Sequence, residues 1–180
     1  NFLNAMGIGA CLADDMGLGK TIQLIALLLH ERDEAAGQGV NKLGPTLLFA
    51  PTSVVGNWIR ELDRFAPALK VLVHHGAQRL TGDAFVAATE DYDVVLTSYA
   101  LAPRCFEDLR KPRWHRIAVD AAQKLKNPSA ATTMAIRSIP ARHHVALTGT
   151  PIENHLAELW SIMEILNPGL LGTAGDFRSR

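Results

Sequence analysis

The stretch Asp14-Asp15-Met16-Gly17-Leu18-Gly19-Lys20-Thr21 lies between a short apolar run, Ala10–Ala13, and a helical pattern that begins at Lys20. Its Gly-Lys-Thr end matches the phosphate-binding loop of P-loop proteins. In such loops, glycines let backbone N–H groups approach phosphate oxygens, and the following helix N-terminus adds partial positive charge. The strict pattern has glycine at position 14, where this chain has Asp14. The alternative is a glycine turn that only closes a strand–helix corner, but the flanking patterns favour a phosphate site.

This motif predicts roles for individual side chains. Lys20 should reach the β- and γ-phosphates of a nucleotide, and the Thr21 hydroxyl should bind Mg²⁺. The residues expected to surround the phosphates are Met16, Gly17, Leu18, Gly19, Lys20 and Thr21.

Short apolar runs alternate with helical patterns along the rest of the chain. The later runs are Thr46–Ala50, Val71–His74, Asp93–Thr97, Arg116–Asp120 and His143–Leu147. Most are apolar at consecutive positions, which is typical of strands buried on both faces of a parallel sheet. The helical patterns are Lys20–Arg32, Val54–Phe65, Ser129–Ser138 and Leu156–Leu166. This alternation predicts an α/β fold, a three-layer sandwich with a mostly parallel sheet, whose ligands bind beyond the carboxyl ends of the strands.

Helical spacing also predicts which side chains face the core. On the first helix the predicted stripe is Ile22, Ile25, Ala26 and Leu29, and on the second it is Trp58, Leu62 and Phe65. The segment from Asp33 to Pro45 is rich in glycine and charge, and we expect a surface loop there.

Composition bounds the class of protein. The chain has 180 residues, of which 48% are apolar, and this is enough for one globular domain, or at most one domain with a small appendage, and excludes disorder. Two distant cysteines, Cys11 and Cys105, exclude a disulfide scaffold and favour a reducing compartment, the cytoplasm (including a bacterial nucleoid) or the nucleus. No apolar run reaches the roughly 18 residues of a membrane span. The 18 basic and 18 acidic residues exclude a strongly basic binder, although a local basic stripe stays compatible with nucleic acid.

An aspartate ends the apolar run Arg116–Asp120. Asp120 could hold Mg²⁺ through water, and we expect it on the strand next to the one that precedes the phosphate loop. A plain turn or helix cap is the alternative. Many P-loop ATPases place a glutamate directly afterwards to activate water, but Ala121 has no acid–base group. General base catalysis contributes about 10²–10⁴ in rate.

Five motifs in order resemble those of Swi/Snf-type ATPases of helicase superfamily two. They begin with the phosphate loop and continue with Ala50–Trp58, Thr97–Tyr99, Asp120–Gln123 and Leu147–Asn154. The resemblance extends over about Gly9 to Phe177. It implies a RecA-like fold and a first motor lobe over residues 1–180, cut from a longer chain that carries the second lobe. In this family two such lobes clamp ATP with Mg²⁺ and move on double-stranded DNA, often remodelling or stripping DNA-bound proteins.

The resemblance also implies roles for further residues. The expected contacts with the DNA backbone are Thr52, Ser53, Asn57, Thr97 and Ser98. Hydroxyls, amides and helix N-termini suit phosphate, although Thr52 or Ser53 could instead cap a helix. The motif that couples the nucleotide to DNA is Thr148, Gly149 and Thr150, or else only a turn.

The implied catalytic set is Lys20, Asp120 and Gln123, with Ala121 at the position of the lost glutamate. Gln123 should contact either the γ-phosphate side or the coupling motif, unless it is a plain surface residue. Trp58 could stack on a ligand, but its spacing with Leu62 favours the core.

Three functions remain in view. The first is the ATP-binding lobe of a DNA-dependent ATPase or translocase, with hydrolysis impaired by Ala121 and by the missing second lobe. The second is an ATP-gated DNA- or protein-binding module that never hydrolyses ATP, which Ala121 favours. The third is an unrelated P-loop enzyme such as a small-molecule kinase, which the motifs at Asp120–Gln123 and Thr148–Pro151 disfavour.

Overall fold

A computed structural model describes residues 2–14, 19–125, 127, 130–150 and 156–178. Its strands are β1 (Ala10–Leu12), β2 (Thr46–Ala50), β3 (Val71–His74), β4 (Val94–Ser98), β5 (Trp114–Asp120) and β6 (Ala141–Leu147). Its α-helices are α1 (Phe2–Ala5), α2 (Lys20–Gly37), α3 (Val55–Phe65), α4 (Gly82–Thr89), α5 (Leu101–Arg104), α6 (Phe106–Leu109), α7 (Ala131–Ser138), α8 (Leu156–Leu166) and α9 (Ala174–Arg178). Two 3₁₀ helices span Thr52–Val54 and Ala122–Leu125.

The strands form one sheet in the order β1-β6-β5-β2-β4-β3, and every described pair is parallel. All carboxyl ends therefore lie at one edge of the sheet. The predicted α/β fold is confirmed. The expectation that Asp120 lies on the strand next to the phosphate-loop strand is wrong, because β6 is inserted between β1 and β5.

Consecutive residues of the central strands face opposite layers, as strand geometry requires. In β2, Leu47 packs into one apolar cluster and Leu48 into the other. The cluster around Leu48 includes Leu24 of α2 and Trp58 of α3. The cluster around Leu47 is covered by helices α4 to α8, with Ile162 as the contact from α8. Burial on both faces explains why these strands are apolar at consecutive positions.

The first long helix differs from its prediction in length and in phase. It continues to Gly37, so the first part of the predicted loop from Asp33 to Pro45 is helical. Its buried residues are Leu24, Ile25, Leu28, Glu31 and Ala35, whereas Ile22 is 37% exposed. The sequence is apolar on several faces of this helix, so spacing alone does not determine which face meets the sheet.

Other helices also differ from the sequence prediction. Trp58 and Leu62 are buried as predicted, but Phe65 is 43% exposed and lies under the Arg64 guanidinium, 4.9 Å from the ring centroid. The helices between β3 and β5 have no counterpart in the sequence analysis, because they are short and mostly lack a periodic stripe. Within the described ranges, no helix is both long and apolar enough to span a bilayer.

The first strand is held at an edge of the sheet by the residue that follows α8. Asn167 accepts a hydrogen bond from the Gly9 N–H at 2.7 Å and donates to the Gly9 carbonyl at 3.3 Å. A Cβ atom at Gly9 would lie 2.3 Å from the Leu166 carbonyl oxygen, so only glycine allows this approach. Among the described strands, β1 pairs with β6.

A buried ion pair joins α2 to β5 near the amino ends of the strands. The Arg116 guanidinium donates two hydrogen bonds to Glu31, at 2.6 and 2.7 Å, and only 1% of Arg116 is exposed. Asn4 donates to the same carboxylate at 2.7 Å, which adds α1. Burial alone would raise the pKa of Glu31, but its hydrogen bonds and charge interactions with Arg116 and His115 outweigh burial and lower it to about 2.

We predict that Glu31→Gln lowers the free energy of unfolding at neutral pH by about 3–5 kcal/mol, because it leaves a buried guanidinium without its counter-charge. The measurement is urea unfolding. Since the pKa of folded Glu31 is lowered, its contribution is present above about pH 4.5 and is lost as the pH falls towards about 2. The difference between the two proteins should therefore shrink over that interval.

The matched control is Glu107→Gln, which removes the carboxylate of an exposed pair with Arg110 at 2.9 Å. Exposed pairs contribute about 0–1 kcal/mol, so this variant should unfold almost as the parent does. Equal losses from the two variants would contradict a special role for the buried pair.

Candidate nucleotide and DNA site

The described end of the candidate phosphate loop is a glycine turn into α2. Gly19 has φ 75°, in the left-handed region that favours glycine, and α2 begins at Lys20. The Lys20 ammonium donates to the Asp14 carbonyl at 2.7 Å, and Gln23 donates to the Asp14 carboxylate at 3.0 Å. Hydrogen bonds therefore connect Asp14, before the loop, to the first turn of α2, after it. The first turn of α2 contains no acidic residue, which suits an anion at this N-terminus.

Three residues of the predicted phosphate set are not among those that the structure describes. Met16, Gly17 and Leu18 lie outside the described residues. Thr21 is half-buried in the first turn of α2.

The Asp120 carboxylate, at the end of β5, is fixed by two hydrogen bonds. The Trp58 indole N–H donates to Oδ2 at 2.8 Å, and the Ala121 N–H donates to Oδ1 at 2.8 Å. Each carboxylate oxygen has capacity for a further hydrogen bond, such as one from water bound to a metal ion. Oxygen donors such as the Asp120 carboxylate and the Thr21 hydroxyl are the ligands that Mg²⁺ prefers, so this donor set fits the ion.

The backbone of Asp120 is held as well. The Tyr99 hydroxyl donates to the Asp120 carbonyl, and the Tyr99 ring stacks on Phe49 with centroids 6.5 Å apart. Burial, and then the negative charge of Asp120, raise the pKa of Tyr99, so its hydroxyl stays protonated and remains a donor.

Ala121 makes a strained turn after β5. Its φ is 52°, a left-handed conformation that costs a residue with a Cβ atom roughly 1–2 kcal/mol. The turn aims the Ala121 N–H at the Asp120 carboxylate and starts the 3₁₀ helix that carries Gln123. The methyl side chain of Ala121 offers no group that could take a proton.

Thr148 connects the two sides of this edge. Its N–H donates to the Leu12 carbonyl at 3.0 Å, and its hydroxyl donates to Gln123 Oε1 at 2.8 Å. Thr148 is buried, Gly149 is half-buried, and Thr150 is exposed with its N–H donating to the Thr148 hydroxyl at 3.2 Å. Gln123 thus contacts the predicted coupling motif. The following residues, 151–155, lie outside the described part of the chain.

One group of predicted DNA contacts lies together on the surface. Thr52, Ser53 and Asn57 are exposed on the 3₁₀ helix and the first turn of α3, just beyond the end of β2. The described caps of both helices involve no side-chain hydrogen bond, so Thr52 and Ser53 do not serve as the alternative helix caps. The exposed Arg60 donates to Asn57 Oδ1 at 3.3 Å and adds positive charge beside the group.

The second group of predicted DNA contacts is buried. Thr97 is 0% exposed and Ser98 1% exposed, because β4 lies inside the sheet and is covered on both faces. The Thr97 hydroxyl lies 3.2 Å from His74 Nδ1 in the neighbouring strand β3. In this conformation a DNA backbone cannot reach either hydroxyl.

The sequence did not predict two side-chain contacts at this edge. Helical spacing indicated a core position for Trp58, and Trp58 is buried, but the indole N–H also binds Asp120. The motif that contains Tyr99 indicated no role for its hydroxyl. The available signal was that buried indole and phenol groups generally need a hydrogen-bond partner.

A model of the SNF2-related domain family matches residues 3–180, almost all of the chain. The chain belongs to this family. It is 50% identical over 179 residues to the putative ATP-dependent helicase/translocase YwqA of Bacillus subtilis, covering 99% of this chain and 19% of that protein. It is 37% identical over 187 residues to the TATA-binding protein-associated factor MOT1 of Saccharomyces cerevisiae, covering 99% of this chain and 10% of that protein.

Solved structures agree with the family assignment. The SWI2/SNF2 ATPase core of Sulfolobus solfataricus in complex with double-stranded DNA matches with a TM-score of 0.84 and 44% identity. This match covers 99% of the present chain and 35% of that one. The SNF2-related chain described here therefore has the RecA-like fold of that core and spans about a third of its length and less than a fifth of the two curated relatives.

The buried His74 predicts a pH dependence for this SNF2-related chain. Burial, and then the charge of Arg79, lower the pKa of His74 to about 4, and burial also lowers the pKa values of His143 and His144. The unfolded chain then binds protons more readily than the folded one. The free energy of unfolding should fall as the pH drops from about 6.5 to about 4.

Urea unfolding of the parent and of His74→Asn at several pH values in that range measures the effect. The variant should lose part of the slope, while His143, His144 and, below about pH 4.5, Glu31 should still contribute to it. An unchanged slope in His74→Asn would contradict the assignment.

Proposed function

We propose that this chain is the ATP-binding, first RecA-like lobe of a double-stranded-DNA-dependent ATPase that moves on DNA or remodels protein–DNA complexes. The observation that carries this proposal is the bridge made by Thr148. It joins Leu12, at the end of the strand before the phosphate loop, to Gln123, which follows Asp120. The family relatives named helicase/translocase and the DNA-bound core structure support the same function.

ATP and Mg²⁺ are the proposed ligands of the edge formed by β1, β5 and β6. Mg²⁺ bound there would neutralise charge on the phosphates. Lys20 would bind the β- and γ-phosphates together with the loop residues Met16, Gly17 and Leu18, with Gly19 closing the turn. Thr21 and Asp120 would hold the metal ion, the latter through water. Gln123 would change its position with the state of the phosphates and act on Thr148 through their hydrogen bond. Gly149 and Thr150 would complete the coupling motif.

Double-stranded DNA is the proposed polymer substrate. Thr52, Ser53 and Asn57 would contact its phosphates, since their hydroxyl and amide groups are exposed and Arg60 lies beside them. The chain has equal numbers of acidic and basic residues, so its own contribution to DNA affinity should be weak and sensitive to salt.

A second RecA-like lobe of the same parent protein is the proposed partner of this edge. The 10–19% coverage of the curated relatives and the 35% coverage of the solved core support a longer parent protein. Proteins bound to DNA are the proposed objects of remodelling. Such a substrate implies a location at chromosomal DNA, in a bacterial nucleoid or in a nucleus.

Ala121 favours a second candidate, an ATP-gated binding module that does not hydrolyse ATP. The test is phosphate release by the full-length protein and by its Ala121→Glu variant, with and without duplex DNA. Turnover by the variant that DNA accelerates supports the motor with an impaired site. ATP binding without turnover in either protein supports the binding module instead.

We predict that Lys20→Ala weakens ATP binding by about 10- to 100-fold, because charged hydrogen bonds to phosphate contribute about 1.5–3 kcal/mol. Equilibrium binding of labelled ATP measures the change. Lys111→Ala is the matched control, since Lys111 lies before the amino end of β5 and pairs weakly with Asp83 at 3.8 Å. Unchanged affinity in Lys20→Ala would overturn the phosphate-loop assignment.

We predict that Asn57→Ala weakens duplex DNA binding by about fivefold, the effect of one hydrogen bond of about 1 kcal/mol. Fluorescence anisotropy at low salt measures it. Asn41→Ala is the matched control, because Asn41 is exposed in the segment before β2, at the opposite edge. Thr97→Val should leave the affinity unchanged because its hydroxyl is buried. A larger loss in Thr97→Val than in Asn57→Ala would refute the proposed surface.

A further inference from the structure

The three tryptophans of the chain make different hydrogen bonds. Trp114 donates to the Leu109 carbonyl at 2.6 Å, and Trp160 donates to the Gly172 carbonyl at 3.1 Å. Backbone carbonyls are the ordinary solution for a buried indole N–H. Trp58 donates instead to the Asp120 carboxylate at 2.8 Å. A hydrogen bond to an ionised acceptor is stronger than a neutral one and depends on the charge and orientation of that acceptor.

Trp58 is also placed on the helix that carries the proposed DNA surface. It directly follows Asn57 in the first turn of α3, and successive helical residues point about 100° apart. The same turn therefore directs the Asn57 amide to the outside and the Trp58 indole to the inside. Because Trp58 is buried against Leu62 and the sheet, it moves with α3 rather than independently of it.

We propose that Trp58 is a positioning residue that links the DNA-facing turn of Thr52, Ser53 and Asn57 to the orientation of the Asp120 carboxylate. This inference rests on the proposed function and deepens it.

The geometry makes the link sensitive to small movements. A hydrogen bond of 2.8 Å is lost when the two atoms separate by less than 1 Å more, and it weakens when the angle bends. The Ala121 N–H and the Tyr99 hydroxyl hold the other oxygen and the backbone of Asp120. A displacement of α3 by DNA would therefore change the interaction of Oδ2 while the rest of Asp120 stays in place.

Coupling of this kind is reciprocal. If DNA favours the arrangement in which Asp120 holds Mg²⁺, then Mg²⁺ with ATP favours DNA by the same factor. Trp58→Phe keeps an aromatic ring, although a smaller one, and removes the donor. The variant should weaken Mg²⁺ binding although Trp58 is not among the residues proposed to bind the nucleotide, the metal ion or the DNA.

The experiment measures how Mg²⁺ promotes binding of a fluorescent, non-hydrolysable ATP analogue to the full-length protein, with and without duplex DNA. This readout is a binding constant, so it does not depend on Ala121 or on turnover. For Trp58→Phe we expect the apparent Mg²⁺ affinity to fall about 10-fold, as for other residues that support a metal ligand. Duplex DNA should no longer raise it. The affinity for the analogue without metal and the affinity for DNA without nucleotide should stay at parent values.

Two controls separate positioning from a general effect on structure. Trp114→Phe removes an indole N–H that binds a backbone carbonyl, and it should behave as the parent does. In an Asp120→Asn background, Trp58→Phe should cause no further loss of Mg²⁺ affinity, since the two side chains act as one unit.

Several results would overturn the inference. These are parent-like Mg²⁺ affinity in Trp58→Phe, an equal loss in Trp114→Phe, retained stimulation by DNA in Trp58→Phe, or an additional loss in the Asp120→Asn background. If the parent protein itself binds no analogue at any Mg²⁺ concentration, the proposed function fails, and this inference fails with it.

Discussion

The common direction of the strands is the constraint on which the candidate site depends. Parallel strands bring their carboxyl ends to one edge, so β1, β6 and β5 deliver Leu12, Thr148 and Asp120 side by side although they lie far apart in sequence. The same direction requires each strand to be followed by a crossover that covers a face of the sheet. The parallel direction of the strands therefore accounts for both the buried core and the position of the candidate site.

Hydrogen bonds at this edge join the segments that follow different strands. Thr148 connects the β1 and β5 sides, and Trp58 and Tyr99 connect Asp120 to the segments that follow β2 and β4. Asp120 is at the centre of this arrangement. A movement of any one of these segments would change the hydrogen bonds of Asp120, because buried polar groups tolerate little loss of partners.

Sequence patterns predicted the strands well, because burial on both faces leaves a continuous short apolar run that few other elements of a globular protein produce. They failed where several solutions share one pattern. The face of α2 that packs on the sheet could not be determined from the sequence, since Ile22 and Leu24 are equally apolar. The sequence also did not indicate that β6 lies between β1 and β5. At the site, Thr97 looked accessible because it ends a strand, but accessibility depends on the elements packed around it, and these are set by tertiary structure. The contacts of Trp58 and Tyr99 depend on residues distant in sequence, which periodicity does not reveal.

The pairing of β1 has a consequence for how the protein is made. As a ribosome releases the chain, β1 emerges before the other described strands, but its partner strand β6 and the Asn167 side chain that binds Gly9 come more than 125 residues later. Strands β2 to β5 can associate with one another in the meantime, whereas β1 must wait, and contacts between distant segments form slowly. Among the described strands, the one that leads into the candidate phosphate loop is thus synthesised first but can pair only after β6 has emerged.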